Sequence, residues 1–370
     1  MIYLDHNATT PIHPKVLEAM LPFLGAFYGN PSSLYRHGRL VRSAIDTARS
    51  QVANLINVQP TQIIFTSGGT EANNLALQSI PPLGKLAISA IEHPSVSQPA
   101  AHLQQKGHDL TIIEVDNNGL VTQAAIDKAI AEKPDFVSIM LANNETGVIQ
   151  DVARYAEQFN ALGTTVHTDA VQALGKIPVD FEQLGVQLMS LSSHKIYGPK
   201  GCGALVFAKG TTITPMLRGG SQEQDYRAGT ENVAAIVGFG KAAELACAEL
   251  VARTEHLTNL TTLLESALLG IPGLSIFAQH AQRLPNTVQF GIDGMDGEML
   301  LMKLDQKSIA VSSGSACASG GNTPSPVLLA MGVEANLAKS AIRISLGLNN
   351  TEAELLEFIT VLKSLVNPAY

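Results

Sequence analysis

Cysteine is scarce. Cys202, Cys247 and Cys317 are the only three in 370 residues, an odd number, widely spaced and without a paired CxxC. That count excludes a disulfide-stapled scaffold, and the spacing argues against a zinc or iron–sulfur ligand set, so no metal is expected. A reducing compartment, the cytoplasm, fits such usage. Charge is sparse too, at 15% of residues against 45% hydrophobic ones, which is too little for a disordered, solvated chain. The 24 Lys and Arg fall short of the 32 Asp and Glu, giving a formal net charge of −8. Neither that balance nor any basic stripe with interleaved aromatics favours a nucleic-acid partner. No apolar run approaches the ~20 residues that cross a bilayer; the strongest are short segments such as LAISAI and GALVFA. The opening residues MIYLDHNATT hold Asp and His where a signal peptide needs a basic start and an apolar core. A soluble, non-secreted chain with no membrane contact is therefore expected.

What the sequence does contain is an alternation of short β-branched runs with amphipathic segments. The runs are IIFTS (63–67), LAISAI (86–91), LTIIEV (110–115), FVSIML (136–141), TTVHTD (164–169), VQLMSL (186–191) and GALVFA (203–208). Seven strands with helical patterns between most of them predict an α/β domain with a mostly parallel sheet. Apolar residues recur at helical spacing over 35–57 and 151–162. An Ala/Leu-rich stretch over 232–265 reads as a helix whose pattern breaks near Gly238 and Gly240. Beyond it, GLSIFA, TVQFGI, SIAVSS and AIRISLG alternate with helical segments at 297–304 and 351–364. The length exceeds what one core usually serves. The expected division is a large α/β domain at 15–254 and a smaller α+β domain made of 1–14 and 255–370.

Candidate site residues gather at the ends of the predicted strands, where open α/β sheets bind ligands. In IIFTSGGTEANN, Gly68 and Gly69 stand between a strand and a helix, so that free backbone N–H groups can approach a phosphate. Thr70 either caps that helix or donates its hydroxyl to the ligand. This is neither GxGxxG nor GxxxxGK[ST], and a nicotinamide-dependent dehydrogenase is disfavoured for that reason. Asp169 and Gln172 follow another strand, and Asp169 read in isolation is as well placed to cap a helix. His194 and Lys195 leave the strand of MSLSSHKIYGPKG together. A lysine at a buried strand end requires a partner or works as an amine of lowered pKa. Pyridoxal phosphate would use such an amine, with a carboxylate for its ring nitrogen and a helix N-terminus for its phosphate. His93, before a Pro suited to a first helical turn, either caps that turn or covers a planar ring. Asn144 in NNETG either bonds a ring substituent or holds its own turn.

YLDHNATT, TSGGTEANN, EHPS, NNETG, HTDAVQ, SSHKIYGPKG, RAGTEN, SSGSACASG and IRISLG, in this order, resemble the signatures of the NifS/IscS-type cysteine desulfurases. Those enzymes are pyridoxal-phosphate-dependent, with the fold type I (aspartate aminotransferase-like) architecture. The resemblance spans nearly the whole chain. It implies that Lys195 is the Schiff-base lysine, that Asp169 faces the pyridinium nitrogen, and that His93 stacks on the ring and shuttles protons. Gln172, helped by Asn144, would bond the ring hydroxyl. Gly69, Thr70, Ser192 and His194 would hold the phosphate, joined by Thr230 from the other subunit of a homodimer. Arg343, with Asn144, would bind the carboxylate of L-cysteine.

Cys317 lies among Ser, Gly and Ala, where burial gains little, ahead of a Pro suited to begin a helix near 324. Cys202 and Cys247 look more like buried small hydrophobes. The resemblance makes Cys317 the nucleophile that receives sulfur as a persulfide, to be passed to an acceptor or iron–sulfur scaffold protein. A selenocysteine lyase would share the same lysine and arginine, and a non-catalytic binding protein would be expected to lack parts of the set. Departures from the family pattern are His6, where many relatives have Asn, and Ser221 and Asp225, where Gly is common. Little C-terminal tail follows the last helical pattern, which makes scaffold binding the weakest expectation.

Overall fold

A computed structural model describes residues 1–313 and 323–366. All seven β-branched runs enter one sheet. In chain order the strands are β1 (Ile2–Tyr3), β2 (Ile63–Thr66), β3 (Lys85–Ser89), β4 (Asp109–Ile113), β5 (Phe136–Ser138), β6 (Thr165–Asp169), β7 (Leu188–Ser192) and β8 (Gly203–Phe207). They are followed by β9 (Leu274–Ile276), β10 (Thr287–Ile292), β11 (Ile309–Ala310) and β12 (Ile342–Ser345). The large sheet runs β2-β8-β7-β6-β5-β3-β4. Within it β8 alone is antiparallel to its neighbours. The connections explain this: β7 reaches β8 through a tight loop, whereas helices intervene between the parallel strands. Every residue of β2, β7 and β8 is buried, as expected of strands covered on both faces.

Two expected strands end early. β3 stops at Ser89 and β5 at Ser138, because the Met140 N–H is taken by the Glu92 carboxylate at 2.7 Å. The carboxyl ends of β2, β3, β5, β6 and β7 then open on the same side of the sheet, the place for a ligand crevice.

The chain beyond residue 255 builds an antiparallel sheet ordered β12-β10-β9, while β11 pairs in parallel with β1. The first residues therefore pack with the last third of the chain: Ile2 and Leu4 share a core with Leu260, Phe290, Ile344 and Phe358. One unbroken helix, Val233–Leu268, serves both cores. Its residues from Ala235 to Ala246 pack on the large sheet, and those from Leu257 to Leu268 pack in the second cluster. The expected helix is present, and the interruption of its apolar pattern at Gly238 and Gly240 does not break it. A Cβ on Gly240 would lie 2.5 Å from the Cα of Ala48, so the glycine lets helix Arg36–Leu55 cross in close contact. Two further expectations are corrected: the helix placed near 324 is Pro326–Ala330, capped by Ser325, and Cys247 is exposed on the solvent side of its helix while Cys202 is buried. No described helix is long and apolar enough to cross a membrane.

Candidate active site

Helix Gly69–Leu77 begins directly after β2, and the N–H groups of its first turn have no acceptor within the helix. Its N-cap is Gly68, which has no side chain, so Thr70 lies inside the helix, exposed, and does not cap it. A side chain on Gly69 would meet Val171 at 2.9 Å and Ser192 at 3.6 Å, which puts this turn against the ends of β6 and β7. The Ser192 Oγ is buried and finds no protein partner among the described residues. An orphan hydroxyl beside unpaired helical N–H groups is a donor set suited to a phosphate.

At the end of β6 the Asp169 carboxylate accepts from Val171 N at 2.9 Å and from Asn73 Nδ2 at 2.7 Å. Each oxygen keeps acceptor capacity for a further donor such as a protonated ring nitrogen. Asn73 also donates to Ser95 Oγ at 2.8 Å, and that hydroxyl lies 2.7 Å from His93 Nδ1, which accepts from Ser95 N at 3.1 Å as well. With two donors directed at Nδ1, the ring proton of neutral His93 sits on Nε2. Burial pushes the His93 imidazole below its ordinary range, with Asp169 opposing and Lys195 adding to the effect. His93 caps helix Pro94–Gln105, so both readings offered by the sequence coexist in one residue.

Lys195 closes the 3₁₀ turn Ser193–Lys195 after β7. Its ammonium donates to the carbonyl of Asn7 and, at 2.8 Å, to that of Ala8. His194 contacts Thr9 Oγ1 at 3.1 Å. Its imidazole is pushed down to about 4 by burial and by Lys195, Lys200 and Lys176, so near neutrality it is uncharged. Arg343, on β12, donates to Asp5 Oδ1 at 2.7 Å and to the carbonyl of Asn144 at 3.0 Å. Its buried Nε has no partner among the described residues and remains available to a carboxylate.

The structure thus brings Gly69, Thr70, His93, Asn144, Asp169, Gln172, Ser192, His194, Lys195 and Arg343 to one side of the large sheet, joined by the strap Asp5–Thr10. Thr230 is exposed, three residues beyond Arg227, which pairs with Glu71 at 2.9 Å. Just before Arg227, Glu223, Gln224 and Asp225 have φ of 47°, 57° and 69°. Asp225, noted where glycine is common, does occupy the left-handed region, whereas Ser221 at −81° does not. The strain, about 1–2 kcal/mol per residue, is offset by Glu223, whose buried carboxylate binds Arg49 at 2.8 and 2.6 Å and accepts from Phe65 N. Cys317 lies outside the described residues. On either side of it in sequence, Ser312 pairs with the Arg343 backbone, and Ser325 donates to buried Glu145 at 2.5 Å. Asn7, Asn73, Ser95 and Lys176 were not singled out from sequence. Asn7, Asn73 and Ser95 sit inside YLDHNATT, TSGGTEANN and EHPS, but nothing in their spacing shows which atoms they meet.

The family model described as aminotransferase class-V matches residues 2–358. A cysteine desulfurase IscS of Dictyoglomus turgidum is 43% identical over 99% of this chain and 94% of that relative. The crystal structure of a NifS-like protein from Rickettsia africae superposes with a TM-score of 0.91 at 36% identity, covering 99% of both chains. A structure described as SspA in complex with cysteine gives 0.82 at 30% identity, over 94% of this chain and 99% of that one.

Proposed function

This chain belongs to the aminotransferase class-V family, and from that premise we infer that it is a cysteine desulfurase, converting L-cysteine to L-alanine and passing the sulfur through an enzyme persulfide to an acceptor. The observation that carries the reading is the joint arrangement at the strand ends. Asp169 is linked through Asn73 and Ser95 to His93, while Lys195 and Arg343 converge on the strap at Asn7 and Asp5, and Arg343 and Asn7 both donate to the Asn144 carbonyl.

The residues fit pyridoxal 5'-phosphate. Gly69, Thr70, Ser192 and His194 would hold its phosphate, joined by Thr230 of a second subunit in a homodimer, and Asp169 its ring nitrogen. Gln172 and Asn144 would meet the ring hydroxyl, and His93 would cover the ring. When bound, the cofactor supplies an electron sink for the carbon that loses its proton. The chain's own groups do the rest. Arg343 grips the substrate carboxylate, its unpaired Nε giving one arm of a two-point clamp. Lys195 Nζ, released from its anchoring, takes the α-proton, and His93 Nε2 handles protons over the ring. Asp169 keeps the ring nitrogen protonated by offering it a buried anion. Cys317, as a thiolate, would attack the substrate sulfur: the S–S bond forms as the substrate Cβ–S bond breaks, and the electron pair of that bond stays with the carbon skeleton, which is protonated to alanine. The persulfide is held for an acceptor such as an iron–sulfur scaffold protein. The large domain, 15–254, supplies the ring and phosphate contacts, and the smaller one, 1–14 with 255–370, supplies Arg343 and Cys317. The cytoplasm is the proposed location.

The test is an assay of alanine and sulfide from L-cysteine with wild type and C317S. Wild type should form both products and a persulfide on Cys317; C317S should keep the visible cofactor absorbance and form no persulfide. Wild-type rates of sulfur release in C317S would overturn the assignment.

A further inference from the structure

Lys176 has no part in the chemistry above, yet its amine is buried against the site. Nζ donates to Gln172 Oε1 at 2.7 Å and to Asn7 Oδ1 at 3.0 Å. Both partners lead onward. Gln172 Nε2 donates to the Asn7 carbonyl at 3.0 Å, the same oxygen that receives the Lys195 ammonium. The Asn7 side chain is fixed from its other end, Nδ2 donating to Thr287 Oγ1 at 2.9 Å and to the Asn144 carbonyl at 3.2 Å.

This pattern determines which way the Gln172 amide faces. Turning it over would set an NH2 against the donors of Lys176 and a carbonyl oxygen against the carbonyl of Asn7, two repulsive contacts in place of two hydrogen bonds. With Oε1 committed to Lys176, the amide nitrogen is the end of Gln172 able to serve a ligand. We propose that Lys176 is a positioning residue that locks Gln172 as a hydrogen-bond donor to the ring hydroxyl oxygen of the cofactor and steadies the Asn7 carbonyl that receives Lys195. The inference rests on the pyridoxal-phosphate reading. It holds for the amine in either protonation state, because a flipped amide would in both cases set Oε1 against the Asn7 carbonyl, where Nε2 now donates at 3.0 Å. Burial and the cations Lys195 and Arg343 push Lys176 well below the ordinary lysine range, and Lys176 in turn presses on the imidazoles of His6 and His194.

A donor at the ring hydroxyl stabilises that oxygen as an anion, so losing it raises the pH at which the bound cofactor changes its absorbance. The experiment titrates the visible absorbance of cofactor-loaded wild type, K176M, Q172M and the double variant, with thermal melts beside it. K176M and Q172M should each raise the midpoint by about one pH unit, and the double variant should shift no further than the larger single shift. If K176M does not fold, Q172M alone carries the test, because an unmoved midpoint there removes the donor that Lys176 is said to lock. A lowered melting temperature with an unchanged midpoint in K176M makes Lys176 a core residue only and overturns the proposal. Wild type that takes up no cofactor overturns the reading beneath it, and this inference with it, whereas cofactor uptake with a midpoint unmoved by both substitutions overturns this inference and the Gln172 contact but leaves the cofactor reading standing.

Discussion

Glu92 stands one residue before His93, and burial drives both toward neutrality. Its Oε1 accepts from Ser89 Oγ at 2.6 Å and Met140 N at 2.7 Å, while its buried Oε2 has no partner among the described residues. Desolvation dominates, the two hydrogen bonds oppose it, and the Asp169 charge adds to it, so the carboxyl is pushed up to about 8. An acid whose pKa is higher folded than unfolded binds more protons in the native state between the two values. Stability is therefore full below about 4.5, the unfolded value, and falls as pH rises toward 8, where ionisation of the native group ends the decline. The amide that E92Q introduces keeps an acceptor for Ser89 and Met140 and cannot ionise. Urea unfolding of E92Q and wild type should thus give similar stabilities near pH 5 and an advantage for E92Q that grows to about 3 kcal/mol by pH 8. A difference independent of pH would mean that Glu92 is solvated or paired.

Much of the secondary structure was legible at the level of elements because its causes are local. Seven β-branched runs became strands, since strands covered on both faces are apolar throughout and need no knowledge of their neighbours. Helix Val233–Leu268 is legible as an element, but the reason for its two glycines is not: Gly238 and Gly240 interrupt the apolar pattern, and only the helices packed on them explain why, Pro14–Leu24 at Gly238 and Arg36–Leu55 at Gly240. A Cβ at Gly240 would lie 2.5 Å from the Cα and 2.6 Å from the Cβ of Ala48, and one at Gly238 would press on Met20 at 2.6 Å. Backbone cannot step aside as the end of a flexible side chain can. G240A should gain up to ~1 kcal/mol of helix propensity and lose about 1–3 kcal/mol by forcing the helices apart, for a net destabilisation seen as a lower urea midpoint. Gly25 has nothing within 4 Å of its would-be Cβ, and G25A serves as the control that should stay within ~0.5 kcal/mol of wild type. Equal midpoints for the two variants would show that the crossing is loose.

Across the whole molecule, the strand-end residues Asp169, His194 and Lys195 could be read from sequence, but what holds them could not, because the contacts join distant parts of the chain. Asp5 meets Arg343 across 338 positions, and Asn7 meets Thr287 across 280 and Lys176 across 169. No periodicity encodes such pairs. They follow from the path of the N-terminus, which begins as β1 beside β11, buries Leu4 in the second core, and passes the site at Asp5 to Asn7. Thr10 then hydrogen-bonds the His194 carbonyl and Tyr197 N on the far side. This strap joins the two cores and also supplies the carbonyls that hold Lys195. Deleting residues 1–8 should therefore remove more than a frayed end. The large sheet retains its own core and should keep its helical circular dichroism, whereas Arg343 loses its carboxylate partner, Lys176 loses Asn7, and the second core opens where Ile2 and Leu4 had been. The expected outcome is a folded chain that binds a hydrophobic dye and does not retain pyridoxal phosphate through gel filtration. A truncated chain that kept the cofactor and turned over L-cysteine at the wild-type KM would show that the strap only covers the site, and that Lys195 and Arg343 are placed by their own strands.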